Sequence, residues 1–282
     1  MFRKLLVATD FSQCSEQLWK CLDEFRELGT QDVVLMHAVP LTVGRSVELA
    51  EEQLEERKKE IEKYGLNTIV RVQVGHEAQE INDVAVKEKV DLVLVGAKGE
   101  NRIREAFIGN TVRDLIRIGK VPILIEKLKF VKGQCTSVTP RKFAKVLLPI
   151  DFSEASMQVF SLVKEKMAGY IKELILVNVV DSGHTEDMIN EQRNQALDRL
   201  QDLRQYMQDA GINTEVRVRI GIPSQHIVSL CREDMVTLVI LATRGAGSIK
   251  ELLLGSTAEN VVRKCPRSVL LFRNKEKYPY TC

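Results

Sequence analysis

No Cys-x-x-Cys pair occurs among the six cysteines, Cys14, Cys21, Cys135, Cys231, Cys265 and Cys282, and none of their spacings has the form of a zinc site. The four histidines, His37, His76, His184 and His226, are equally scattered, so no metal-binding residue is assigned. Reduced thiols in a cytoplasmic protein are expected, with Cys14 and Cys21 read as core and surface residues of one helix rather than as a bridge. Apolar runs all fall well short of the ~20 residues of a membrane-spanning helix. The strand pattern starts by residue 5, so no signal peptide is expected. A net charge of only +2 gives no argument for nucleic acid or membrane partners. A Walker-type lysine motif is also missing, and no histidine or glutamate is tied by spacing to a phosphate site, so no catalytic residue is assigned.

What is present is ordinary in composition, 44% hydrophobic and 28% charged over 282 residues, which suits two globular domains. The chain contains an internal repeat. Residues 91–127 and 237–273 align without a gap and share nine identities. Each copy holds a short apolar run, a glycine-bearing turn and, after nine further residues, a second turn: Gly96-Ala97-Lys98-Gly99 leads to Gly109-Asn110-Thr111, and Ala242-Thr243-Arg244-Gly245 leads to Gly255-Ser256-Thr257. A buried strand that stops at glycine lets a ligand approach bare backbone. The second turn opens a helix, whose first amides lack partners and carry the positive end of its dipole. Together these make a phosphate cradle. A plainer reading stays open, in which Asn110 and Ser256 are N-caps and the glycines are ordinary turns.

The remaining pattern alternates strand and helix. Strands are expected at 5–8, 33–39, 68–74, 91–95 and 122–125, with helices between them, the charged one spanning 46–63. Residues 129–142 read as a linker, after which the order restarts. Residues 145–153 repeat 4–12, including Asp-Phe-Ser at Asp10-Phe11-Ser12 and Asp151-Phe152-Ser153. From the third strand onward the offset grows by five residues, which fall around the second charged helix. The expected domains are 1–128 and 143–274, with a polar tail at 275–282. Buried-type strands alternating with helices predict an α/β fold, two tandem Rossmann-like domains with parallel sheets covered by helices on both faces.

The turn Thr9-Asp10-Phe11-Ser12, a histidine near the end of the second strand and above all Gly96-x-x-Gly99-x9-Gly109-Asn110-Thr111 resemble the universal stress protein family, and both halves fit along nearly their whole length. The resemblance implies open five-stranded sheets of order 3-2-1-4-5 and binding of AMP or ATP. It implies that Thr9, Asp10 and Asp151 lie beside the nucleotide, near adenine, ribose or a phosphate-bound Mg²⁺. Backbone of Ala38 and Val39, or Val179 and Val180, would meet adenine. Gly96, Gly99, Gly109, Asn110 and Thr111 would surround ribose and phosphates, and Gly245, Gly255, Ser256 and Thr257 would do so in the second copy. Lys98 and Arg244 are either phosphate contacts or solvated loop cations, and Asp10 and Asp151 are either ligand contacts or plain turn residues. The second copy departs at Ala242, which adds a methyl group at the first glycine position, and at Ile150, which replaces the hydroxyl of Thr9. Family members commonly dimerise through the last strand, so residues 123–126 and 269–272 are expected to pair as an internal pseudo-dimer, with a further homodimer open. Three functional classes compete: a nucleotide-binding stress sensor or regulator, a slow ATPase, and an interaction scaffold that has lost one or both sites. An electron-transfer flavoprotein-like domain is a more distant alternative.

Overall fold

The computed structural model describes residues 2–41, 47–97, 108–139, 141–183, 185–243 and 255–273. The chain divides near residue 140 into two compact units, each built on its own parallel sheet. In the first unit the strands are β1 (Lys4–Ala8), β2 (Asp32–Val39), β3 (Asn67–Val74), β4 (Leu92–Gly96) and β5 (Ile123–Glu126), in the order β3-β2-β1-β4-β5. Leu5, Leu6, Leu35, Leu92 and Leu94 are wholly buried, as expected of strands covered on both faces. The helices are α1 (Trp19–Glu27), led by a 3₁₀ turn at Ser15–Leu18, then α2 (Val47–Glu62), α3 (Glu77–Lys87) and α4 (Asn110–Ile118).

The segment expected to be a linker is ordered. It forms an antiparallel hairpin, β6 (Leu128–Val131) and β7 (Gln134–Ser137), closed by Lys132 and Gly133 at φ 50° and 82°. Two successive positive φ values are what a tight hairpin turn requires, and glycine supplies the second without a Cβ penalty. The expectation of reduced thiols fails here, because Cys14 and Cys135 form a disulfide with Cα atoms 5.2 Å apart. The two lie 121 residues apart in sequence, and only the folding back of β7 onto the 3₁₀ turn brings them together. Cys21, Cys231 and Cys265 are buried and not disulfide-bonded. The Cys231 and Cys265 sulfurs approach to 3.3 Å, and the hydrogen bond between them, together with burial, raises the Cys231 thiol well above its ordinary range.

The second unit repeats the plan with β8 (Lys145–Pro149), α5 (Glu154–Met167), β9 (Glu173–Val180), α6 (Glu186–Asp209), β10 (Asn213–Ile220), α7 (Pro223–Glu233), β11 (Leu238–Ala242), α8 (Ser256–Lys264) and β12 (Ser268–Phe272), in the order β10-β9-β8-β11-β12. Both sheets therefore follow the 3-2-1-4-5 order. The direction of winding reverses between the first and fourth strands, which opens a crevice at their carboxyl ends. The extra length of the second copy goes into α6, 24 residues against 16 in α2. No described helix is long and apolar enough to cross a membrane.

Candidate functional site

The chain leaves β1 through a turn that is built almost identically in the two units. The Thr9 amide still donates to Met36 O at 2.9 Å, continuing the ladder with β2 for one residue. Beyond it, Asp10 Oδ1 accepts the Ser12 amide at 3.0 Å, and the side chain thereby forms an Asx turn. Phe11 inside that turn has φ 58°. In the second unit Ile150 N donates to Val177 O at 2.8 Å, Asp151 Oδ1 accepts the Ser153 amide at 3.0 Å, and Phe152 has φ 60°. A left-handed backbone is an outlier for a bulky aromatic residue, yet it occurs twice at equivalent positions. Asp10 and Asp151 are thus turn-forming residues. Asp10 is also exposed, and its Oδ2 has no partner among the described residues.

Different side chains brace the two turns. In the first unit Thr9 Oγ1 accepts the Phe11 amide at 3.0 Å and pairs with Ser15 Oγ at 2.9 Å, and the Phe11 ring lies 4.5 Å from the His37 ring. Ile150 has no hydroxyl to offer its turn, and there the Arg199 guanidinium of α6 sits 3.7 Å over the Phe152 ring. Such a cation–π contact covers the ring without using the main chain. Of these bracing residues the sequence pattern offered only His37, as the histidine near the end of the second strand; Ser15, Asn178 and Arg199 act across fold contacts and not within a motif.

The second half of the crevice is the helix start. Gly109 and Gly255 are the N-cap residues of α4 and α8, and neither helix has a side-chain cap. Asn110 and Ser256 are therefore the first helical residues and not the caps. The Asn110 side chain turns aside to accept Arg113 Nη2 at 2.8 Å. Uncapped N-terminal amides and the helix dipole together attract an anion. A Cβ placed on Gly109 would meet no atom of the described residues within 4 Å. In the second unit the Gly255 amide donates to Thr243 O at 2.9 Å, which ties the start of α8 to the end of β11.

Gly96 behaves otherwise. A Cβ there would lie 3.3 Å from Leu128 Cδ1 and 4.0 Å from Leu18 Cδ2, so that direction is already filled by the hairpin and the 3₁₀ turn. Its equivalent, Ala242, ends β11 and is half-buried. Ala38 and Val39 are buried, and Val39 O and Val180 O accept the amides of Gly75 (3.0 Å) and Gly221 (2.8 Å), which leaves each carbonyl one lone pair. Thr111 and Thr257 take the second helical position in α4 and α8, and Val179 lies beside Val180 on β9. Lys98, Gly99, Arg244 and Gly245 lie outside the described residues. Among the described residues there is no group of three carboxylate, imidazole or thiol side chains placed to hold a metal.

Comparison with known proteins adds a lineage. The model of the universal stress protein family matches residues 1–127 and again residues 142–273. Universal stress protein MJ0577 of Methanocaldococcus jannaschii is 27% identical over 156 residues, 47% of this chain and 96% of that one. Universal stress protein Slr1230 of Synechocystis is 25% identical over 255 residues, 87% of this chain and 80% of its own. Among solved structures, a universal stress protein from Archaeoglobus fulgidus superposes with a TM-score of 0.73 at 24% identity, covering 96% of each chain, which establishes likeness of fold.

Proposed function

Because the chain belongs to the universal stress protein family in two consecutive copies, we propose that it binds an adenine nucleotide, AMP or ATP, in the crevice of each unit and acts as a stress-response sensor or regulator. The observation that carries this reading is the duplicated strained turn, with Phe11 at φ 58° and Phe152 at φ 60°. Backbone strain of this kind costs roughly 1–3 kcal/mol per residue and persists where function requires it. It presents a carboxylate at the mouth of a crevice whose other wall is an uncapped helix start. Asp10 Oδ2 is free to accept from a ribose hydroxyl or an adenine amine, and the amides of Asn110 and Thr111 are oriented to donate to phosphate. Among the described residues no cluster for a resident metal occurs, and on this reading Mg²⁺ enters as a companion of the ligand's phosphates.

Calorimetric titration of the full chain with AMP, ADP and ATP, with and without Mg²⁺, tests the proposal. Saturable binding that weakens on substitution Asp10→Ala supports it, and an isotherm flat for all three nucleotides overturns it. Binding without turnover separates the regulator from the slow ATPase, whereas turnover abolished by Asp10→Ala would favour the enzyme. We further propose that the last strands of the two halves pair with each other as a pseudo-dimer. The chain cleaved near residue 140 is then expected to stay together on gel filtration. A cytoplasmic location completes the proposal, and in a reducing compartment the Cys14–Cys135 bridge would close only under oxidising conditions.

A further inference from the structure

At the point where each Asp turn leaves its sheet, a side chain takes over the work of the strand ladder. In the first unit His37 Nδ1 lies 2.8 Å from Thr9 O. In the second, Asn178 Nδ2 donates to Ile150 O at 2.7 Å. The two residues are equivalent, each 28 positions after the carbonyl it engages. In both units the amide of the same residue, Thr9 or Ile150, remains in the ladder with the residue just before the clamp, Met36 or Val177. The sheet therefore holds this residue by its N–H, while its C=O is drawn to a side chain. The next residue, Asp10 or Asp151, is freed from strand geometry.

Imidazole and carboxamide share little chemistry except one feature. His Nδ1 and Asn Nδ2 are both nitrogens bonded directly to Cγ, so each presents an N–H at the same reach from the backbone. A carbonyl acceptor fixes the role of the histidine nitrogen, because Nδ1 must carry its proton to make this bond in either charge state of the ring. Within the described residues the recorded contacts of His37 are the Thr9 carbonyl and the Phe11 ring. Asn178 is 9% exposed, and a donor so enclosed needs its partner.

We propose that His37 and Asn178 are positioning residues that aim Asp10 and Asp151 at the ligand, each by an N–H donated from Cγ to the carbonyl before the aspartate. The proposal rests on the nucleotide-binding reading above, and it predicts interchangeability that a merely packed side chain would not show. His37→Asn borrows the second unit's own solution and keeps the donor. His37→Asp keeps nearly the same shape but replaces the donor with an oxygen that repels the carbonyl. Asn178→His and Asn178→Asp repeat the pair in the other unit.

The experiment is calorimetric titration of the full-length variants with AMP, each chain's unaltered site serving as the internal control. His37→Asn and Asn178→His are expected to bind within about twofold of wild type, and the two aspartate variants to weaken one site by about tenfold or more, the scale of a lost hydrogen bond plus an unsatisfied carbonyl. Wild-type affinity in His37→Asp would overturn the proposal. So would equal weakening in His37→Asn and His37→Asp, since the ring itself would then be the contact. If wild type binds no AMP, the nucleotide reading fails, and amide exchange at Phe11 and Ser12 decides the clamp separately. Faster exchange in His37→Asp, with exchange like wild type in His37→Asn, supports it; no change in either variant overturns it.

Discussion

Two positions show how differently a single residue is constrained inside and outside the crevice. Gly109 has φ −57°, which any residue can adopt, and no atom of the described residues within 4 Å of its Cβ position. Gly109→Val is therefore expected to fold, with an unfolding free energy within about 1 kcal/mol of wild type, while AMP affinity in the first unit falls at least several-fold because the added methyl groups stand over the helix amides. Calorimetry beside thermal unfolding separates the two effects. Glu88, at the end of α3, instead carries structure: it bonds Lys4 Nζ at 3.0 Å and Arg71 Nη2 at 2.8 Å, linking the helix to β1 and β3. The Lys4 hydrogen bond, opposed by partial burial and aided by Arg71, holds its carboxyl below the usual glutamate range. A carboxylate depressed in the folded state contributes stability that is fully present above its unfolded value of about 4.3 and is lost as pH falls through the folded value. Glu88→Gln should cost about 1 kcal/mol at pH 7. In denaturant melts across pH 7 to 2.5, the gap to wild type should close on the acid side. A constant gap would mean the side chain contributes by packing alone.

At the scale of elements, the strands and helices were legible because buried runs such as residues 92–95 and periodic stretches such as α3 announce themselves locally. The doubled glycine turns likewise located both helix starts. What stayed illegible depends on partners distant in sequence. The hairpin β6–β7 reads as a polar linker because just two of its side chains, Leu128 and Cys135, are buried, and what they lie against, Gly96 and Cys14, is distant in sequence. The same holds for the clamp on Thr9 O, whose donor lies a whole strand away. The hairpin thus braces the first unit's crevice from behind, at β4 through Leu128 and at the 3₁₀ turn through the disulfide. Removing a bridge that closes so long a loop typically costs about 2–5 kcal/mol. Cys135→Ser should lower the unfolding midpoint of the first unit by that measure. Trp19, the single tryptophan, begins α1 directly after the bridged turn, so its emission follows the change. Dithiothreitol should shift wild type towards the variant and leave the variant unmoved; a wild type indifferent to the reductant under unfolding conditions would show that the bridge does not contribute.

Across the whole chain the duplication matters because the copies keep the same geometry with different side chains. Thr9 gives way to Ile150, Gly96 to Ala242 and His37 to Asn178, yet the turn carries the same Asx bond and the same left-handed phenylalanine in both units. Drift that had released one copy from ligand binding would be expected to relax the strained turn first, since its energetic cost would then serve nothing. The second unit instead keeps it and covers its phenylalanine with Arg199. Two nucleotides per chain are accordingly expected, at unequal affinity, because a hydroxyl and an imidazole line one turn while an isoleucine and a guanidinium line the other. Native mass spectrometry with rising AMP should show chains carrying one and then two ligands. Asp10→Ala and Asp151→Ala should each leave a single tight site, and their double variant neither. A wild type that saturates at one ligand, lost in Asp10→Ala and kept in Asp151→Ala, would mean that the second turn retains its strain for some role other than nucleotide binding.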